Sequence, residues 1–140
     1  MLNDVKTELS PASMAPPAAN YAHAVLTASA PGRSTRWLHT SGVVPTAADG
    51  SVPEGIAAQA DQVWANLLAL LGEAGMTAHD VVSITTYVVV DHVPDLPVVM
   101  AARDRALGGH RAASTLVTVP ALARPEWRME IALVAAADTP

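Results

Sequence analysis

The chain contains no phenylalanine and no cysteine, has a single lysine, Lys6, and draws only 4% of its 140 residues from the aromatics. Each shortage excludes something. Without cysteine there is neither a disulfide framework nor a thiolate metal site, which suits a reducing compartment. With one lysine and a formal net charge of -5, the chain lacks the basic clusters that displace counterions from phosphate, so no nucleic-acid partner is expected. No apolar run reaches the roughly 20 residues that span a bilayer. The N-terminus also lacks the basic-then-apolar order of a secretory signal. The expected location is the cytoplasm, with no membrane partner. Without phenylalanine the core must be filled by Val, Leu, Ala and Ile with a few Met and Trp, and such small side chains suit a compact two-layer fold or burial shared between subunits.

What is present, 51% hydrophobic and 15% charged residues, is enough for one globular domain. Residues 1–20 carry Pro11, Pro16 and Pro17 among Ala, Ser and Asn, a composition that reads as a flexible arm with no face to bury. The domain is expected over 21–138. A strand is predicted from Tyr21 to Ser29, a turn at Pro31-Gly32, and a second strand from Trp37 to Val44 that pairs with the first as a hairpin. From Ile56 the apolar residues Ala60, Val63, Leu67, Leu70 and Ala74 recur at steps of three and four, one face of a helix, with Gly75 where a C-terminal cap is wanted. Gln59 and Asn66 share another face of that helix, where they meet either solvent or a neighbouring backbone.

Val81 to Val90 reads as a strand, with Val82, Ile84, Val88 and Val90 on a core face and Ser83, Thr85 and Tyr87 on a semipolar one. A semipolar face of that kind suits a subunit interface better than water. A short helix over Val98 to Leu107 ends at Gly108-Gly109, and the last quarter of the chain reads as two more strands around a Pro-containing loop. In the final strand Trp127, Met129, Ile131, Leu133 and Ala135 form an unbroken apolar face. That leaves Glu130 as a lone acid between apolar neighbours, costly to bury unless it is paired, neutralised or facing a wet cleft. Glu130 is therefore the candidate catalytic residue.

No Gly-rich phosphate loop, nucleophile elbow or H-E-x-x-H helix is present, so no cofactor is expected. The five histidines are scattered without ligand spacing, and no metal site is expected. Ser41, before Gly42, reads either as a strand-end serine bonding backbone or as a ligand contact.

Taken in order, Tyr21 with Ala24-Val25, Ser41-Gly42 before Pro45, Gln59 and Asn66 on the helix, Gly75, Ser114-Thr115-Leu116-Val117, and Glu130-Ile131 with Val134-Ala135 resemble the Rid, or YjgF-like, family of reactive-intermediate deaminases over nearly the whole chain past residue 20. The resemblance implies an α+β, chorismate-mutase-like fold, a mixed sheet with two helices on one face, and a homotrimer packed through the other face with a small-molecule cleft between subunits. It implies that Glu130 holds the attacking water and that Tyr21, Ser41, Ser114 and Leu116 line the same cleft. One departure matters: where deaminase members carry an arginine that clamps the substrate carboxylate, this chain has Ser114. Losing a charge-assisted pair costs on the order of two or three decades in affinity, which argues against the usual 2-imino acid. Arg128, two residues before Glu130, is the first candidate replacement cation, and Arg111, three before Ser114, the second. The expected function is hydrolysis of an imine, enamine or related reactive metabolite, with a non-catalytic trimeric ligand-binding or regulatory protein as the alternative.

Overall fold

The computed structural model describes residues 6–18, 22–28 and 34–138. The elements in chain order are β1 (Lys6–Leu9), β2 (Ala24–Ala28), β3 (Thr35–Thr40), α1 (Ile56–Glu73), β4 (Val81–Val89), α2 (Leu96–Leu107), β5 (Ala113–Val119) and β6 (Met129–Asp138), with short 3-10 turns at Ala78–Asp80 and Val90–Asp95. Six strands make one sheet in the order β1-β2-β3-β6-β4-β5. All neighbouring pairs are antiparallel except β4 with β5, which run parallel with α2 as their crossover. The architecture is α+β, as the resemblance implied.

Both helices cover one face of the sheet. Ala60, Val63, Leu67 and Leu70 of α1 and Val99 and Ala102 of α2 meet Leu38, Ile84, Met129, Ile131, Leu133 and Ala135 in a single core. The alternation of β6 is as expected: every second residue from Met129 to Ala135 is buried, and Glu130, Ala132 and Val134 between them are half-buried on the opposite face. α1 ends in a Schellman motif. Gly75, at φ 71°, donates to the Gly72 carbonyl and Met76 donates to that of Leu71, a left-handed step that a Cβ would strain.

Two expectations need correction. The flexible arm over 1–20 is ordered in its described part: β1 pairs with β2, Leu9 and Met14 are buried, and Met14 bridges Ala47. Composition misled because β1 takes its face from Leu9 alone and its support from the backbone of β2, neither of which leaves a periodic signal in so short a segment. The core face assigned to β4 is also shifted at its start. A bulge against β6 lies between Val81 and Ser83, so Val81 is buried while Val82 is 43% exposed; an extra residue in one strand reverses the facing of everything before it. Val90 has already left the strand and is exposed. Tyr21 and the Pro31-Gly32 turn lie outside the described residues.

Candidate functional site

The face of the sheet away from the helices holds the candidate site. β3 ends at Thr40, and the chain that follows is drawn onto β6: Val43 and Ile131 exchange both backbone hydrogen bonds, at 2.7 and 3.1 Å. That pairing sets Gly42 against the Glu130 side chain. A Cβ built on Gly42 would overlap Oε2 of Glu130 and lie 2.9 Å from its carboxyl carbon. The φ angle of Gly42 is not positive, so it is the carboxylate next to it, rather than backbone torsion, that requires glycine. Gly42→Ala is expected to leave the fold intact, because the obstructed group is the far end of a flexible side chain, and to displace the carboxylate by about an ångström or more, with a loss of turnover of about 10²-fold. Circular dichroism melting beside an activity assay separates the two effects.

Glu130 and Ser41 border one shallow recess of about 240 Å³, with Val44, Ala123 and Trp127 as its apolar wall. Among the described residues the Glu130 carboxylate has neither a hydrogen bond nor an ion pair. Desolvation on burial raises its pKa above the usual carboxylate value. A half-buried acid without a partner retains its proton to higher pH than a free one and is unusually ready to accept hydrogen bonds from a ligand or water. Ser41 is held by its own backbone contacts: its amide donates to the His23 carbonyl at 2.8 Å and its hydroxyl to the Ala22 carbonyl at 2.6 Å. The hydroxyl proton is thus committed, and Ser41 can offer the recess only oxygen lone pairs.

Three more of the candidate residues lie elsewhere within one chain. Ser114 and Leu116 register with Ile84 and Thr86, which puts them on the helix side of the sheet, across from Glu130. There Ser114 borders a separate recess of about 550 Å³ with Arg103 and Arg111, and Arg103 Nη1 lies 3.5 Å from its hydroxyl. Leu116 packs against the core. The Arg128 guanidinium is engaged at all three nitrogens. Nε donates to His92 Nε2 at 3.0 Å, Nη2 to Asp91 at 3.1 Å and Nη1 to the Pro125 carbonyl at 3.4 Å. Because His92 Nε2 accepts, its Nδ1–H donates onward to Asp95 at 3.0 Å.

Gln59 and Asn66 prove to be backbone staples. Both are buried on α1. Gln59 donates to the carbonyls of Pro53 and Glu126 and accepts from the Arg128 amide; Asn66 donates to the carbonyls of Val44 and Thr46 and accepts from Gln62. Together they tie to one helix the two loops that carry Val44 and Trp127. Truncating either to Ala leaves part-buried carbonyls without their donor and is expected to cost about 1–3 kcal/mol, measurable as a lower urea midpoint at unchanged slope.

Sequence reasoning did not single out Arg124. Its guanidinium carbon sits 5.1 Å from the Trp127 ring centroid, a cation–π distance, while its carbonyl accepts from the Trp127 amide. The signal was an Arg-x-x-Trp turn in the loop before β6. Arg124 borders a further recess of about 260 Å³, which shares Gly42, Val44 and Trp127 with that of Glu130 and is closed on one side by Met14 and Ala15 of the N-terminal segment. Among the described residues no group of three His, Cys, Asp or Glu could hold a metal ion, and no helix is long and apolar enough to cross a membrane.

The family model for endoribonuclease L-PSP matches residues 12–137. The chain belongs to the endoribonuclease L-PSP family, also known as YjgF or Rid. Solved Rid structures share its fold. The Escherichia coli YjgF gene product is 24% identical at a TM-score of 0.76, over 92% of this chain and 97% of that one. The Rid-family protein YyfA from Yersinia pestis is 24% identical at 0.78, over 94% and 99%. E. coli TdcF, crystallised with bound serine, is 18% identical at 0.78, over 94% and 98%. No curated protein matches the chain.

Proposed function

We propose that this Rid-family chain hydrolyses a small imine or enamine, with Glu130 positioning and deprotonating the attacking water. Water adds to the C=N carbon and one of its protons passes through Glu130 to nitrogen; the carbinolamine hydroxyl then gives its proton through Glu130 to that nitrogen as the C–N bond breaks, and ammonia leaves a carbonyl product. An enamine enters the same sequence after protonation at carbon to the imine. The observation that carries this reading is the half-buried Glu130 carboxylate lining a recess, without a partner among the described residues. A carboxylate with a raised pKa can take a proton from water and return it within one turnover. The serine held by TdcF supports a small-molecule occupant for a cleft of this fold. The nuclease activity in the family's name finds no support in a chain of net charge -5 with one lysine.

The same reading takes the working form to be a homotrimer. Trp37 and Val117 on the helix-free face are 42% and 40% exposed, and among the described residues no strand lies beside the outer edge of β5. Exposed apolar side chains on one sheet face, and an open strand edge, are features that another copy can cover. Ammonia release from 2-aminoacrylate generated in place, and from a neutral enamine, tests the activity. Release by the wild type that is absent in Glu130→Gln supports it, and binding of small metabolites without any product from either compound rejects it in favour of a non-catalytic ligand-binding trimer.

A further inference from the structure

We infer that the recess between α2 and the start of β5 is a second ligand site, one that takes a small phosphate monoester. It lies on the helix side of the sheet, across from Glu130, and stands independently of the hydrolase reading. Its volume is about 550 Å³, against about 240 Å³ for the recess of Glu130, and a space of that size holds an ordinary small molecule. The opening exists because the helix layer ends before the strand does. Ser114 registers with Ile84 and shares its helix-facing side, yet Ile84 is buried while Ser114 is exposed. The connection between α2 and β5 is short and fixed in place. Gly108 and Gly109 turn at φ 57° and 91°, and Nε2 of His110 donates to the Val81 carbonyl at 2.7 Å, tying the loop to β4. A rim held in this way loses little freedom when a ligand arrives.

Three donor side chains border the recess, one each from helix, loop and strand: Arg103, Arg111 and Ser114. Arg103 spends Nε and Nη2 on one carboxylate oxygen of its neighbour Asp104, at 3.1 and 3.0 Å. That pairing leaves Nη1 on the side of Ser114, 3.5 Å from its hydroxyl, a separation too long for a strong hydrogen bond. Both groups therefore keep donor capacity for a third partner, and Ser114 makes no other hydrogen bond among the described residues. In this it differs from Ser41, whose proton is committed to the Ala22 carbonyl. Arg111 has neither a hydrogen bond nor an ion pair among the described residues. The two guanidiniums outweigh Asp104, so a chain of net charge -5 carries a locally positive recess. Nor does the C-terminal end of α2 present bare carbonyls to it: those of Asp104, Arg105 and Leu107 accept from the amides of Gly108 and His110. Donors on three different elements suit a tetrahedral headgroup, with acceptor oxygens on several sides, better than a planar carboxylate. Ile84 and Leu107 supply the apolar lining for a short carbon chain.

Calorimetric titration with propyl phosphate, inorganic phosphate and butyrate, which carries the same propyl chain on a carboxylate, tests the site without requiring turnover. The wild type is expected to bind propyl phosphate more tightly than either of the others. Arg103→Gln and Arg111→Gln are each expected to weaken that binding by about ten- to a hundredfold, while Glu130→Gln should bind as the wild type does. Amide shifts in the nuclear magnetic resonance spectrum of the wild type should centre on Gly109, Ala112 and Ser114. Absence of saturable binding, unchanged affinity in both arginine variants, or shifts centred on Gly42 and Glu130 overturns the inference. Butyrate bound as tightly as propyl phosphate overturns the choice of phosphate.

Discussion

Replacing Glu130 by Gln is expected to lower ammonia release from the protein's imine or enamine substrate by about 10²- to 10⁴-fold, the contribution of a positioned general base. Glutamine has nearly the shape of glutamate and can bond water, but it cannot accept a proton. The chain should therefore still fold and still fill its recess. Stability supplies an independent check with a definite sign. Burial raises the folded-state pKa of Glu130 above its unfolded value, so folding favours the protonated form. The stabilisation this linkage provides is full at pH below the ordinary carboxylate value and is lost as pH rises through the folded-state pKa. At neutral pH the wild type holds a partly desolvated, unpaired charge that the Gln variant lacks. Glu130→Gln should melt higher than wild type near pH 7, with the gap closing toward pH 4. A variant that melts lower at both pH values, or one that retains turnover, contradicts the assignment.

Val117→Arg is expected to convert a homotrimer into monomers. Val117 lies on β5 in register with Tyr87, facing away from the helices, and is 40% exposed in the single chain. A guanidinium there meets only water in an isolated subunit and costs the fold little. In a packed trimer it must be buried without a counter-charge, a penalty of several kcal/mol for each copy. Light scattering behind a sizing column should find three times the 14.5 kDa chain mass for the wild type and one times that mass for the variant, with circular dichroism unchanged. A wild type that runs as a monomer removes the subunit cleft from the functional reading. Activity of the variant then shows whether Glu130 needs a neighbour's β5 to work.

Much of the fold is legible from side-chain spacing because the core is one-sided. The even alternation of β6 and the helical period of α1 each record a single buried face, and period is what a linear sequence preserves. The bulge in β4 leaves no such record. Val81 and Val82 are identical side chains, and only the partner strand decides which one faces inward. β1 is hidden for a related reason: its support comes from hydrogen bonds to β2, which any residue but proline can make.

The site divides along the same line. Glu130 stands out because an acid interrupts an apolar strand, a local contrast. Gln59 and Asn66 could be placed on one helix face, yet the carbonyls that claim them come from loops distant in sequence. Arg128 and Arg124 look alike in the sequence, four residues apart in the same region. What distinguishes them is that the turn at Val90–Asp95 brings His92 and Asp91 to Arg128, while Arg124 lies over the Trp127 ring.

The close approach of Gly42 to Glu130 also bears on how such chains drift. Position 42 is kept small by the neighbouring acid rather than by the path of its own backbone, so a change at one position acts on the other. A descendant that gave up the acid would release the glycine from constraint, and one that acquired a methyl group at 42 would already have surrendered the placement of its acid.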